Sequence, residues 1–320
     1  KGWGSPLGSS LSGMLIGVLL FFASFGVLYW NEGRTDFSKI ADDAIPLGSE
    51  EVEQNDDLQG SLVSVGGQLT TDEALSDGLF IKPSNFIALE RKVEVYAWVE
   101  KTSSTSETNL GGSETTETTY TYSKEWVSKP ASSGNFAQPE DHENPTKPLE
   151  DVSVRSTSAT LGAYVVDIEN LDLPAYQQLA LTESNTQFSE ESTAELASGQ
   201  YIFNGFGNLS TPEVGDVRIS FEVLGSGKNV TVFGSLNGNK ISTYSDGKDN
   251  TMYRAFASDA SQAVATLHGE YKTAMLIFRI VGFFMMWIGL GMILGPLSVF
   301  LDVVPFLGNI SRTVVNIATF

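Results

Sequence analysis

The chain has 320 residues, no cysteine and a formal net charge of −20, with 39 acidic against 19 basic residues. The absence of cysteine excludes disulfides, thiolate metal sites and cysteine nucleophiles. Because binding to a phosphate backbone needs clustered Lys and Arg, the acidic balance also excludes a nucleic-acid-binding protein.

The first predicted element is a membrane span. Residues 11–30 carry no charge and end in Tyr29 and Trp30, an aromatic pair suited to the membrane interface. Gly13 and Gly17 have the spacing of small residues that lets two helix backbones approach each other in lipid. We therefore predict an uncleaved transmembrane helix with a packing face at these glycines. The alternative is a signal sequence.

The motif Asn31-Glu32-Gly33-Arg34 follows this span directly. Asn and Gly commonly end helices, so the helix is predicted to leave the bilayer here. We interpret Glu32 and Arg34 as charges at the level of the lipid headgroups. The acidic, weakly patterned residues 35–57 predict a linker or a short helix.

The long middle segment is predicted to be a mainly antiparallel β (α+β) extramembrane domain. Residues 31–270 hold 38 of the 39 acidic and 15 of the 19 basic residues, which gives this segment a net charge of about −23. Alternation of apolar and polar residues predicts strands over 91–100 and 118–127, joined by a mobile Ser/Thr-rich loop over 102–117. Further strands are predicted at 62–65, 152–157, 163–167, 200–203, 216–224, 229–233 and 240–244. Short helices are predicted at 173–182 and 192–198.

Few residues in this domain suggest chemistry. His142 lies among Glu140, Asp141 and Glu143, but a catalytic zinc needs three rigidly held ligands, so a turn is the preferred interpretation. Residues 246–250 lack the carboxylate spacing and distal Glu of a calcium loop. Glu213 and Asp216 are expected to cap a turn. The sequence contains no Gly-x-Ser-x-Gly motif, P-loop, dinucleotide-binding fingerprint or His-Glu-x-x-His motif. We therefore predict no enzyme activity, no cofactor and no metal site.

A second span is predicted near the end of the chain. Residues 280–301 carry no charge, and Ser258 is expected to cap a helix that leads into them. Gly291 and Gly295 have the spacing of a packing face, and Gly295-Pro296 is expected to end or kink the span. Arg279, at the start of the apolar run, either reaches the headgroups or pairs with a carboxylate such as Glu32 or Glu270.

The predicted fold class is a membrane protein in which α-helical transmembrane segments flank the extramembrane β domain. An even number of spans places both termini on one side, which we assign to the cytoplasm. The predicted organisation is a tail over 1–10, a first transmembrane helix over 11–30, the β-rich domain over 31–257, a juxtamembrane helix over 258–273, a second transmembrane helix over 274–295, and an interfacial segment with the start of a further hydrophobic segment over 296–320.

Five motifs together resemble the transmembrane protein 43 (LUMA) family. They are Asn31–Arg34, Arg91–Glu100, Tyr120–Trp126, Asn144-Pro145 and Pro212–Phe221, and they occur in the order found in that family. The residues that characterise the resemblance are Asn31, Gly33, Tyr96, Trp98, Trp126, Pro212, Gly215 and Asp216.

The resemblance implies one N-terminal span, a large extramembrane domain and several C-terminal spans, usually four spans in total. This chain ends near Phe320, which suggests that the last spans are missing. In animals the family is expected at the endoplasmic reticulum and inner nuclear membrane, with lamins and emerin as partners. No catalytic residues are carried over. The acidic, cysteine-free domain favours a bacterial homologue in the inner membrane with a periplasmic domain; the animal membranes are the alternative.

The leading functional hypothesis is a non-enzymatic membrane scaffold that self-associates and organises membrane-protein or lipid assemblies. Its expected partners are membrane lipids and further copies of itself. A channel or transporter subunit is the alternative, based on Arg279 and on Gly289, Gly291 and Gly295. A membrane-anchored hydrolase is a third hypothesis that rests only on unassigned Ser, Thr and carboxylate residues.

Overall fold

A computed structural model describes residues 4–108, 114–248 and 250–301. Contacts divide the chain into two compact units. The helix unit comprises Lys1–Asp36, Thr102–Thr119 and Leu267–Phe320, and the β unit comprises Phe37–Lys101 and Tyr120–Thr266. Each unit is described by itself.

Three α-helices are present in the described residues: α1 is Gly4–Glu32, α2 is Phe37–Asp42 and α3 is Ala260–Leu301. The segments Ser12–Asp42 and Ala260–Leu294 are long and apolar enough to cross a membrane. Only 11% of the most apolar stretch of each is buried within the protein. A core helix of a soluble protein would bury most of such a stretch, so these side chains are suited to face lipid.

The strands are β1 Ile45–Leu47, β2 Leu62–Thr70, β3 Phe86–Thr108, β4 Glu114–Val127, β5 Val152–Arg155, β6 Ala159–Leu161, β7 Tyr164–Val166, β8 Gln177–Gln178, β9 Glu195–Leu196, β10 Ile202–Asn204, β11 Val217–Gly225, β12 Lys228–Asn237, β13 Lys240–Ser242, β14 Tyr244–Ser245, β15 Thr251–Met252 and β16 Arg254–Phe256.

The first sheet has the strand order β1-β2-β6-β7-β13-β12-β16, and a further pairing of β2 with β12 closes five of these strands into a ring. Closure removes the exposed edges of those strands. Their inward side chains form an apolar core whose fully buried members include Val63, Leu69, Leu161, Tyr164, Val232 and Ile241.

The second sheet has the order β4-β3-β11-β10-β9, with β5 also paired to β3 and β8 to β11. Strand β3 alternates as predicted: Val93, Val95 and Ala97 are buried, whereas Tyr96 and Trp98 on the other face are half-buried. The paired strands are mostly antiparallel, which confirms the predicted α+β class with flanking apolar helices.

The predicted mobile loop over 102–117 is wrong. Strand β3 continues to Thr108 and β4 begins at Glu114, so the segment is mostly a β-ribbon. Hydroxyl groups join the two strands across the ribbon, with Ser104 Oγ 3.1 Å from Thr118 Oγ1 and Ser106 Oγ 2.9 Å from Thr116 Oγ1. Thr favours the extended backbone and cross-strand hydroxyl pairs stabilise it, so polarity alone did not indicate a loop.

The two helices predicted at 173–182 and 192–198 are also wrong. These segments contain the short strands β8 and β9. A backbone N–H at Leu179 donates to Phe221 O at 2.8 Å, so β11 supplies the hydrogen bonds that a short helix would otherwise supply itself. Helices of this length are marginal without strong packing.

Helix α3 differs from its prediction at both ends. Its N-terminal cap is Asp259, whose Oδ1 accepts from Gln262 N at 2.9 Å, and not Ser258. The helix joins the predicted juxtamembrane and transmembrane segments and continues through Pro296 to Leu301. Breaking a helix in lipid leaves backbone groups unpaired, which favours continuation past a proline. Residues 302–320, which make up the rest of the predicted interfacial segment, lie outside the described residues.

Candidate functional site in the helix pair

Helices α1 and α3 of the helix unit contact each other at small residues. A Cβ atom added to Gly289 would lie 2.8 Å from Phe21 N and 2.9 Å from Gly17 O, and one added to Gly282 would lie 2.5 Å from Leu28 Cδ2. These distances are shorter than real Cβ contacts. At position 289 the close atoms belong to the α1 backbone, so only glycine allows this approach. Close approach of this kind supplies packing energy in lipid, where the hydrophobic effect between helices is absent.

The buried positions of α1, and those of α3 from Met275 onward, recur every seven residues. They are Gly17, Ser24 and Asn31 in α1, and Met275, Gly282 and Gly289 in α3. A seven-residue repeat keeps one seam of each helix facing its partner. This repeat is the sequence signal for the contact, and a spacing of four residues between glycines does not reveal it.

Of the glycines predicted to pack the helices, some lie in this seam and others do not. Gly17 lies in the seam, but a Cβ added at Gly13 or Gly291 would meet no atom within 4 Å. Gly13 and Gly291 are therefore not part of the contact between α1 and α3, because they lie off the seven-residue seam. Gly295 is part of α3, and its surroundings lie outside the described side chains.

Asn31, the first residue of the motif that follows the apolar run, ends the seam. Its side chain is 0% exposed, and its Nδ2 donates to Met275 O at 3.0 Å. Its Oδ1 has no hydrogen-bond partner among the described residues. An amide that bonds a backbone carbonyl of the facing helix fixes the register of the pair, because hydrogen bonds are directional.

Glu32 pairs with Arg279 across the two helices. Arg279 Nε donates to Glu32 Oε1 at 2.8 Å and Nη2 donates to Oε2 at 3.0 Å. Of the arrangements that the sequence left open for Arg279, the structure has the pair with Glu32. The two parallel bonds are the strongest arrangement of a guanidinium with a carboxylate.

Gly33 and Arg34 complete the motif. Gly33 N–H donates to Tyr29 O and Trp30 O, both at 3.2 Å, and ends α1. The Arg34 guanidinium lies over two rings, with Cζ 5.1 Å from the Trp30 centroid and 5.3 Å from the Phe278 centroid. The side chains of Asn31, Glu32 and Arg34 therefore all contact α3.

Tyr96, Trp98 and Trp126 form a half-buried aromatic face on the second sheet. The Tyr96 and Trp126 rings are 5.2 Å apart. The Arg218 guanidinium lies 4.8 Å from the Trp126 centroid, and its Nε bonds Glu94 Oε2 at 2.7 Å. Cation–π contacts and the ion pair together order this face.

Asn144 binds the backbone of β3 with its side-chain amide. Trp98 N donates to Asn144 Oδ1 at 2.7 Å, and Asn144 Nδ2 donates to Trp98 O at 2.9 Å. The amide thus acts like a neighbouring strand residue. Lys124 Nζ lies 4.7 Å from the Trp98 ring centroid.

His142 packs among aromatic residues. Its ring stacks on Tyr122 with the centroids 3.6 Å apart, and its Nδ1 lies 2.8 Å from Gln138 O. Burial, and then the hydrogen bond to Glu100, raise the pKa of Tyr122 above its ordinary value. No group of three or more His, Asp or Glu residues in the described chain could hold a metal ion.

Asp216 organises the turn that precedes β11. Its carboxylate accepts from Phe206 N at 2.8 Å, Gly207 N at 3.1 Å and Glu213 N at 2.7 Å. Gly215, at φ +105°, lies in the same turn. The structure therefore gives Asp216 the turn-capping role that the sequence indicated, and Pro212 lies half-buried at the start of this motif.

A buried ion pair, Arg91 with Asp77, was missed at the sequence level. Arg91 Nη1 lies 2.8 Å from Asp77 Oδ2. A signal was present, because Arg91 shares its strand face with the buried Val93 and Val95. A charge at such a position requires a buried partner.

Residues 95–320 match the family Transmembrane protein 43. The chain belongs to this family. A fruit-fly (Drosophila melanogaster) protein, Transmembrane protein 43 homolog, is 32% identical over 242 residues, which cover 72% of this chain and 62% of the relative. Transmembrane protein 43 of mouse (Mus musculus) is 29% identical over 334 residues, covering 97% of this chain and 80% of the relative. The human (Homo sapiens) protein is 27% identical over 333 residues, with the same coverage.

The family assignment confirms the resemblance drawn from the motifs. This chain spans less than two thirds of the length of its fruit-fly relative. No solved structure matches the chain. The matched residues include the aromatic face and the Asp216 turn, so both belong to the part of the chain that carries the family resemblance.

Proposed function

We propose that this member of the Transmembrane protein 43 family is a non-enzymatic membrane scaffold that self-associates through the outer edge of β4. The observation that carries the proposal is the position of β4, a strand of 14 residues at the end of the second sheet. Among the described residues β4 pairs only with β3. A long edge strand presents a row of backbone groups that can pair with another chain.

Backbone directions in β3 identify which groups of β4 face outward. Tyr96 exchanges hydrogen bonds with Asp216 and Gly215 on the β11 side, whereas Val93 N–H points to the opposite side. The backbone N–H and C=O groups of the odd-numbered residues of β3 therefore point toward β4. The Tyr122 hydroxyl donates to Glu100 at 2.5 Å, which places these two even-numbered residues side by side. The backbone groups of Tyr122 and Lys124 consequently point away from β3.

The test uses a proline that blocks the edge and spares the fold. Lys124→Pro removes an outward N–H, which an edge strand tolerates, so the β3–β4 pairing should remain. Lys124→Ala removes the same side chain and keeps the N–H. We expect the mass of the protein in lipid nanodiscs to show oligomers for the wild type and Lys124→Ala, and monomers for Lys124→Pro. A monomeric wild-type particle would refute the proposal.

The proposed location follows from the relatives. The matching proteins named above are animal proteins, and an endoplasmic reticulum or inner nuclear membrane fits them. A bacterial inner membrane with a periplasmic domain, expected from the acidic, cysteine-free composition, stays a prediction. Partnership with lamins or emerin, implied by the resemblance alone, likewise stays a prediction for this chain.

The channel alternative has no separate observation in its favour. Arg279 is engaged by Glu32, and Gly289 packs against α1. Both residues thus have a structural role in the helix pair. Scaffold function remains the proposal that uses the observed features of the chain.

A further inference from the structure

Arg34 carries a charge that no acidic group of the described chain compensates. Its guanidinium lies between Trp30 and Phe278, whose rings meet edge to face with centroids 5.2 Å apart. Within the described residues the guanidinium makes no hydrogen bond or ion pair. An aromatic ring attracts a cation but offers no oxygen acceptor, so the five N–H donors of Arg34 remain available.

The neighbouring charges are engaged elsewhere. Both carboxylate oxygens of Glu32 bind Arg279. The Asp36 carboxylate lies 3.9 Å from His268 Nδ1. Glu32 therefore neutralises Arg279 and not Arg34. Arg279 has a carboxylate partner, whereas the guanidinium of Arg34 contacts aromatic rings.

The position of Arg34 along the chain places it where lipid phosphates lie. The apolar run of α1 ends at Tyr29 and Trp30, and α1 itself ends at Glu32. Aromatic residues of this type lie at the membrane interface, and an arginine about one turn beyond them reaches the headgroups. Arg34 itself is partly exposed, so its guanidinium is accessible to a lipid headgroup.

We propose that Arg34, together with Trp30 and Phe278, binds the phosphate group of a zwitterionic membrane glycerophospholipid. The planar donor fork of arginine fits two phosphate oxygens at once. The two rings hold the fork in place and can pack against the upper acyl chain. The β-rich segment has a net charge of about −23, so it disfavours headgroups with additional negative charge. This inference rests on the membrane location and is independent of self-association.

The experiment is native mass spectrometry of the full chain in detergent micelles with added phosphatidylcholine. We expect one tightly retained phospholipid on the wild type, and about tenfold weaker retention for Arg34→Gln, because the charge-assisted bidentate contact is lost. Lys272→Gln is the matched control, since it removes an exposed cation of α3 that contacts neither ring. Its retention should equal that of the wild type.

Two further arms separate the possible results. Arg34→Lys keeps the charge and loses the planar fork, and we expect intermediate retention; this variant also keeps the test decisive if Arg34→Gln does not fold. Inorganic phosphate at millimolar concentration should not displace the lipid, because it lacks the chain that packs on the rings. Equal retention by Arg34→Gln, equal loss in Lys272→Gln, or displacement by free phosphate would each overturn the proposal.

Discussion

Asp77 and Arg91 form an ion pair of 2.8 Å in which the side chains are 0% and 4% exposed. The other Asp77 oxygen accepts from the backbone N–H groups of Phe80 and Ile81, each at 2.8 Å. Arg91 Nη2 donates to Glu150 O at 3.1 Å. The pair thus connects strand β3 to two separate loops of the β unit.

Removing one partner of this pair should destabilise the β unit strongly. We expect Asp77→Ala to lower the free energy of unfolding by about 3–5 kcal/mol, because it leaves the Arg91 charge buried and unpaired. Circular dichroism of the β signal during chemical denaturation measures the change. Lys92→Ala is the control. The Lys92 side chain is 49% exposed in its pair with Glu222, so the loss should be below about 1 kcal/mol. Equal losses would contradict the prediction.

Glu73 should make the stability of the β unit depend on acid. Hydrogen bonds from the Thr157 side chain and backbone, and then from Ser156, lower the pKa of Glu73 from 4.5 to about 2. Folding therefore favours the ionised carboxyl. Its stabilising contribution is complete above pH 4.5 and is lost as the pH falls from 4.5 to about 2.

Glu73→Gln removes this contribution and should flatten the pH dependence of the unfolding midpoint in that window. Thr157→Val removes the side-chain hydrogen bond that lowers the pKa of Glu73 most, and should shift the loss of stability to higher pH. Thermal unfolding measured from about pH 2 to 6 distinguishes these results. An unchanged slope in Glu73→Gln would mean that other groups control the acid response.

The sequence predicts elements with a strong period and fails where a partner determines the structure. Uncharged runs identify α1 and α3, and alternation identifies β3 and β11. Strand β8 has two residues and exists because β11 offers it an edge, which no local pattern encodes. The Ser/Thr-rich ribbon of β3 and β4 has the composition of a loop, and cross-strand hydroxyl pairs stabilise it.

The candidate site shows the same division. The position of Arg91 on a buried strand face predicts a buried charge. Its partner, Asp77, lies in a loop, where the alternation of apolar and polar residues gives no information. In the helix pair, the sequence offered Glu32 or Glu270 as the carboxylate that pairs with Arg279. It could not choose between that pair and exposure to headgroups, because the choice depends on how far each helix turns toward the other.

A methyl group in the helix seam should weaken the helix pair, whereas one beside it should not. Gly289→Ala forces a Cβ to within 3 Å of the α1 backbone, and such overpacking costs about 1–3 kcal/mol. Gly291→Ala meets open space and should be neutral or slightly stabilising, since Ala favours helix over Gly. The midpoint of unfolding in sodium dodecyl sulfate measures both variants. A milder effect at position 289 than at position 291 would contradict the seven-residue seam.

The pair of Glu32 with Arg279 should survive exchange of its charges. Glu32→Arg alone places two guanidinium groups together and should separate the ends of α1 and α3. Arg279→Glu in the same chain restores an attractive pair, so the double variant should recover part of the stability that either single variant loses. Because the chain lacks cysteine, two introduced cysteines report the helix separation by spin-label distance measurement without background. Additive losses in the double variant would show that Arg279 is held by the membrane interface and not by Glu32.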